Sequence, residues 1–153
     1  MFKINRKLEY ALIALKYMSR KTPGQLTSAK EICDLYHAPF DPTSRVLQIM
    51  AQQGLLHAEQ GAHGGYQISK DLGKVTLGNL SRMITGPIKI ASCFSGNYSH
   101  CELNGSCSVI GPMLNLNERI VGMFDEIDVA DLIETRHQQE NLIRNKPSAL
   151  KNL

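Results

Sequence analysis

The chain has 153 residues, 42% of them hydrophobic, and a formal net charge of +3. That length suits one compact domain, or one small domain with an extension, and it can bury a core without disulfide staples. No stretch approaches the ~20 apolar residues of a membrane span. The basic-then-apolar start is interrupted by Glu9 and Lys16, and no small-residue cleavage site follows, so a cytoplasmic protein with no membrane partner is expected.

Residues 1–70 hold nine Lys and Arg against five Asp and Glu, a surplus of four, whereas residues 71–153 hold eight against nine. This asymmetry permits nucleic-acid binding by the first half without arguing for it. A reducing compartment favours metal or redox use of the four cysteines over structural disulfides.

In chain order, Leu8, Ala11, Leu12, Leu15 and Met18 give a first helix from about Arg6 to Ser19 its buried stripe, and Thr22-Pro23-Gly24 ends it. A second helix starts at Ser28, whose spacing to Glu31 is that of a capping box; Ala29, Ile32, Cys33 and Tyr36 form its apolar face. Cys33, on that face, reads as a small core residue. Asp41-Pro42 signals the start of a third helix reaching about Gln53, with Val46, Leu47 and Met50 inward and Gly54 as its stop. Strand-like pieces at Leu56–Glu59 and Tyr66–Ser69 flank Gly61, Gly64 and Gly65, the composition of a hairpin turn.

Two closely spaced helices followed by a glycine-tipped hairpin are the parts of a winged helix-turn-helix. Thr76 caps a fourth helix, from Leu77 to about Ile84, ended by Gly86-Pro87. Beyond a cysteine-rich loop, Ile110, Met113, Leu114, Asn117, Ile120, Val121 and Phe124 stripe one long helix over about Val109 to Glu126. Such a helix outside a small domain calls for a partner surface, and a second copy of the chain is the economical choice. Asp128 caps a last short helix through Ile133, and the tail from Gln138 is polar.

The expected fold is therefore mainly α with a small β-hairpin wing: a winged helix-turn-helix over 1–86, a cysteine-rich loop over 87–108, a long C-terminal dimerisation helix and a short following helix over 109–134, and a polar tail over 135–153.

The cysteine loop reads Cys93-x7-Cys101-x5-Cys107. Thiolates are soft ligands suited to iron–sulfur clusters, zinc and copper(I). The spacing lacks the close Cys-x2–4-Cys pairs of many zinc sites and suits a loop wrapped around a larger object. From spacing alone, a cluster, a zinc site completed by His100, and a thiol switch stand as comparable readings.

On the third helix, the side bearing Thr43, Ser44, Arg45, Gln48 and Gln52 is taken as exposed. Hydroxyls near a helix N-terminus suit phosphates, and Arg and Gln suit guanine and adenine edges. Gln60 and His63 sit in the wing, and Lys3, Arg6 and Lys7 at the start of the first helix suit phosphates. A nucleophilic cysteine needs a base and an orienting partner, and no motif supplies them, so no enzyme is expected.

Several segments together resemble the IscR/NsrR family of bacterial winged-helix regulators that sense iron–sulfur chemistry. They are Glu9-Tyr10-Ala11-Leu12, Gly61-Ala-His-Gly-Gly-Tyr66, Val75-Thr-Leu-Gly with Thr85-Gly-Pro87, the three loop cysteines, and Leu116-Asn-Glu-Arg119 leading into Asp128-Val-Ala-Asp-Leu132. The resemblance covers the chain to about residue 133. It implies a homodimeric, DNA-binding transcription regulator whose Cys93, Cys101 and Cys107 hold an iron–sulfur cluster, 4Fe–4S favoured over 2Fe–2S.

Some relatives complete the ligand set with a histidine three residues after the last cysteine, where this chain has Ile110. Others use an acidic side chain on the first helix of the opposite subunit, and Glu9 matches that place; His100 is the local alternative. Two departures stand out. The seven-residue first gap replaces the family's usual five, and Gln60 stands where many relatives have an arginine that probes the minor groove. The implied signals are nitric oxide, oxygen, iron supply or redox state, and the rival reading is a DNA-binding thiol switch or zinc protein without a cluster.

Overall fold

In the computed structural model, which describes residues 3–91, 103 and 106–134, α1 (Arg6–Ser19) is the element on which most others pack. Asn5 caps it by accepting the Lys7 N–H at 2.9 Å. Leu8, Ala11, Ala14, Leu15 and Met18 recur at helical spacing and are all buried. Against this stripe lie α3 (Phe40–Gln52), α4 (Leu77–Thr85), α6 (Val129–Glu134) and strand β2 (Gly65–Ile68). Each buried leucine there contributes about 1.5–3 kcal/mol relative to exposure.

In α2 (Ala29–Tyr36) the expected capping box is only half made. Ser28 Oγ accepts the Glu31 N–H at 3.1 Å, but the Glu31 carboxylate turns instead to Tyr17 Oη and Lys21 Nζ, which reach it from α1 and its C-terminal turn. A charge-assisted contact between two helices has displaced a local one. Tyr36 also departs from expectation: it is 40% exposed, its ring edge-to-face with Tyr17 at 6.0 Å. The turn into α3 passes through His37 in the left-handed region (φ 53°).

α3 begins at Phe40, one residue before the expected Asp41 cap. Pro39 occupies the cap position without a side-chain bond, and Asp41 falls in the first turn, where its charge suits the helix dipole.

The wing pairs β1 (Leu56–Glu59) antiparallel with β2, from Leu56↔Ile68 to Glu59↔Gly65. The second strand therefore starts one residue before the sequence expectation. A third backbone segment, unforeseen from the sequence, joins it: Thr27 and Tyr66 exchange both N–H···O bonds at 2.9 Å. Only a glycine fits at position 65, because a Cβ there would lie 2.8 Å from the Thr27 carbonyl oxygen.

α4 opens with a reciprocal capping box, Thr76 Oγ1 accepting the Asn79 N–H at 3.1 Å and Asn79 Oδ1 accepting the Thr76 N–H at 3.2 Å. α5 (Ile110–Glu126) buries only Phe124; Ile110, Leu114, Leu116 and Met123 are exposed. Its far end returns to α4 through the Leu77 N–H to Ile127 carbonyl bond (2.7 Å) and the Val129 N–H to Val75 carbonyl bond (2.9 Å), which set α6 on α1.

Gly65→Ala is expected to lower stability by about 1–3 kcal/mol, because the wing must shift away from Thr27. A melting temperature unchanged from wild type would contradict that close approach.

Candidate nucleic-acid interface and thiol site

The outer face of α3 carries Arg45, Gln48 and Gln52, all exposed, with Ser44 half-buried beside them. Thr43 is corrected: it is 1% exposed and points into the core with Val46, Leu47 and Met50. Among the described residues its Oγ1 is buried without a hydrogen-bond partner, so it offers nothing to a phosphate. Position 43 precedes Val46, Leu47 and Met50 by three, four and seven residues, the spacing of one helical face, and that is the sequence signal that places Thr43 inside.

Gln60 and His63 are exposed at the hairpin tip, where Gly61 has φ 113°. Lys3, Arg6 and Lys7 are exposed around the start of α1. Arg6, expected on phosphate, and Glu9, expected on metal, form one ion pair at 2.9 Å. Arg6 is well exposed and Glu9 half-buried, and so open a pair is worth at most about 1 kcal/mol and exchanges readily for another partner. Either residue is thus available, and engaging one frees the other.

Of the loop cysteines, Cys107 is half-buried three residues before α5; Cys93, Cys101 and His100 lie outside the described residues. Among the described residues, no three His, Cys, Asp or Glu side chains come together. The route into the loop is fixed: the Ile90 N–H donates to Asn117 Oδ1 at 3.1 Å. Ile90 is three residues before Cys93, and Asn117 lies on α5, the helix that follows Cys107. Both flanks of the cysteine segment are therefore tied to a single helix, a link that the spacing of the cysteines alone does not reveal.

A second link joins α5 to the winged helix. Arg82 on α4 donates two parallel hydrogen bonds to Asp125 on α5, at 2.8 and 2.6 Å. This fork holds the Asp125 carboxyl below, and the Arg82 guanidinium above, its ordinary pKa. Gly78 makes room for it, since a Cβ there would collide with Asp125.

A third link braces α1 against α2. Lys21 Nζ donates to Glu31 Oε1 at 2.6 Å and to the Leu26 carbonyl at 3.1 Å, and it lies 5.0 Å from the Tyr17 ring centroid. Burial pushes the Glu31 carboxyl up, but the hydrogen bonds from Lys21 and Tyr17 and the Lys21 charge outweigh it, leaving a net lowering. The Tyr17 hydroxyl, bonded to Glu31, is held above its usual value.

The sequence model of the Rrf2 family, described as an iron-dependent transcriptional regulator, matches residues 4–135. The HTH-type transcriptional regulator NsrR of Shouchella clausii is 21% identical over 138 residues, 90% of this chain and 93% of that one. Among solved structures, CymR (YrzC), the global cysteine regulator of B. subtilis, superposes with a TM-score of 0.67 at 21% identity, over 89% of this chain and 99% of that one. T. potens IscR superposes with a TM-score of 0.62 at 17% identity, over 91% of each chain.

Two outcomes follow from the geometry. Thr43→Val is expected to preserve or raise stability and to leave DNA affinity unchanged, because it replaces an unpartnered buried hydroxyl with an isosteric methyl; a several-fold loss of affinity would restore Thr43 as a contact. Asp125 has a lowered folded pKa, so its contribution is present at neutral pH and lost as pH falls through that value. Asp125→Asn should therefore narrow the difference in melting temperature between neutral and acid pH, and an unchanged difference would show that the fork carries no stability.

Proposed function

The chain belongs to the Rrf2 family of iron-dependent transcriptional regulators, and from that premise we propose that it is a homodimeric, operator-binding regulator that senses redox state, nitric oxide or iron supply through an iron–sulfur cluster. The observation that carries this reading is the placement of the cysteine segment: it leaves the winged helix at Ile90 and re-enters the fold at Cys107, and both flanks are tied to α5.

The donor set fits a cluster. Cys93, Cys101 and Cys107 supply three soft thiolates, one short of the usual four. Glu9, on the exposed side of α1 with only a weak surface partner, is the fourth ligand, donated by the second copy. When bound, a 4Fe–4S cluster supplies a centre that reacts with oxygen and nitric oxide, and an oxygen ligand leaves one iron easier to attack.

The chain's own residues do the rest. Leu116 and Met123, exposed seven residues apart on one face of α5, form the seam with the partner helix. Arg45, Gln48 and Ser44 of α3 read the major groove, Gln60 and His63 of the wing lie alongside, and Lys3, Arg6 and Lys7 hold phosphates. Glu9 drawn toward the loop releases Arg6 and displaces α1, and α3 packs directly on α1.

A thiol switch or a zinc site is the second reading. It is favoured by the half-buried Cys107 thiol and by the fold likeness to CymR, whose structure is named for cysteine regulation.

Anaerobic binding to selected operator DNA, followed over graded salt, tests the proposal. Affinity should fall at least tenfold between 50 and 200 mM salt, as phosphate contacts require. Glu9→Ala should shed its iron to a chelator faster than wild type. Salt-indifferent binding would remove the DNA reading, and identical iron release would remove Glu9 from the ligand set.

A further inference from the structure

Phe40 is the first residue of α3 and is 54% exposed. Some of the other large exposed apolar groups of the helix-turn-helix and the C-terminal helix have an explanation. Leu116 and Met123 share a face of α5 that suits a helix partner, and the Tyr36 ring meets Tyr17, whereas Leu35 on α2 is 55% exposed with no such contact assigned. Among the described residues Phe40 has no ring contact, and it opens the helix that the DNA-binding reading places in the major groove. In helix-turn-helix proteins the N-terminal residues of that helix reach the base edges.

Two neighbours keep this helix end from being a phosphate site. Asp41, exposed beside Phe40, repels phosphate, and Pro42 removes one of the free N–H groups that a helix N-terminus would offer an anion. Farther along the same exposed surface, at i+4, i+5 and i+8, stand Ser44, Arg45 and Gln48. The first turn of α3 is therefore apolar and acidic, while the next two turns carry the hydrogen-bonding groups.

In the major groove, the one apolar feature that distinguishes a base is the thymine 5-methyl group, and a phenylalanine ring is among the side chains that contact it. We infer that Phe40 is a specificity-determining residue that packs on a thymine methyl in each operator half-site. The inference rests on the DNA-binding reading and adds to it a base identity that the polar residues do not supply. Burying one methyl group is worth roughly fourfold in affinity.

The test uses the anaerobically purified full chain and DNA selected by it from a random duplex pool. Each thymine of the selected site is then replaced singly by deoxyuridine, which lacks only the methyl group. Wild type should bind about fourfold more weakly at one thymine per half-site. Phe40→Ala should still prefer the selected site over scrambled DNA yet show no deoxyuridine penalty at that position. Phe40→Leu should keep part of the penalty, which shows that the surface remains folded.

Wild-type indifference to deoxyuridine at every position would overturn the inference and leave the DNA-binding reading standing. So would a full penalty retained by Phe40→Ala, as would capture of a protein partner through Phe40 with no effect on DNA. Failure of the pool to enrich any sequence would overturn the DNA-binding reading and the inference together.

Discussion

Leu8, Ala11, Ala14, Leu15 and Met18 lie along one face of α1, and the recognition helix, the wing strand β2, α4 and α6 all pack on that face. With the inner stripe committed to packing, Arg6 and Glu9 fall on the outer face of the same helix, and Lys3 and Lys7 are exposed around its start. A close-packed core transmits displacement instead of absorbing it. A force applied to Glu9 is therefore felt at α3, so the proposed cluster ligand and the proposed DNA-reading surface need no separate relay.

The links between α5 and the rest have the same character. Arg82 grips Asp125, the Val75–Leu77 backbone pairs with Ile127 and Val129, and Asn117 holds Ile90. Each is a contact between segments far apart in sequence. Together they make the entry to the cysteine segment, the start of α4 and the long helix move as neighbours. The wing is fastened by a different device: Thr27, in the connection between α1 and α2, pairs with Tyr66 across a glycine that admits no side chain.

Elements governed by local periodicity were legible in the sequence. The α1 stripe, except that Ala14 is buried and Leu12 only half-buried, the extent of α5, the hairpin and the Thr76 cap follow from spacing and turn chemistry, and the likeness to IscR and NsrR rests on motif order. What escaped was decided by distant partners. Glu31 had the spacing of a capping box but went to Lys21 and Tyr17, because a charged partner from another helix is worth more than the local backbone donor. Thr43 was read by its hydroxyl and not by its place among Val46, Leu47 and Met50. Phe40 carries no hydrogen-bonding group, so nothing in the polar pattern of α3 singles it out. The pairing of Arg6 with Glu9 was visible in their i, i+3 spacing, yet each had been assigned a different external partner.

The central claim is that three loop thiolates and one carboxylate from the second copy make a site for an iron–sulfur cluster. A Mössbauer spectrum of the anaerobically isolated protein, with iron, sulfide and zinc assayed on the same sample, tests it most directly. A 4Fe–4S signal in which one iron differs from the other three is expected, as a single oxygen ligand requires. A colourless protein with stoichiometric zinc and neither iron nor sulfide would contradict it.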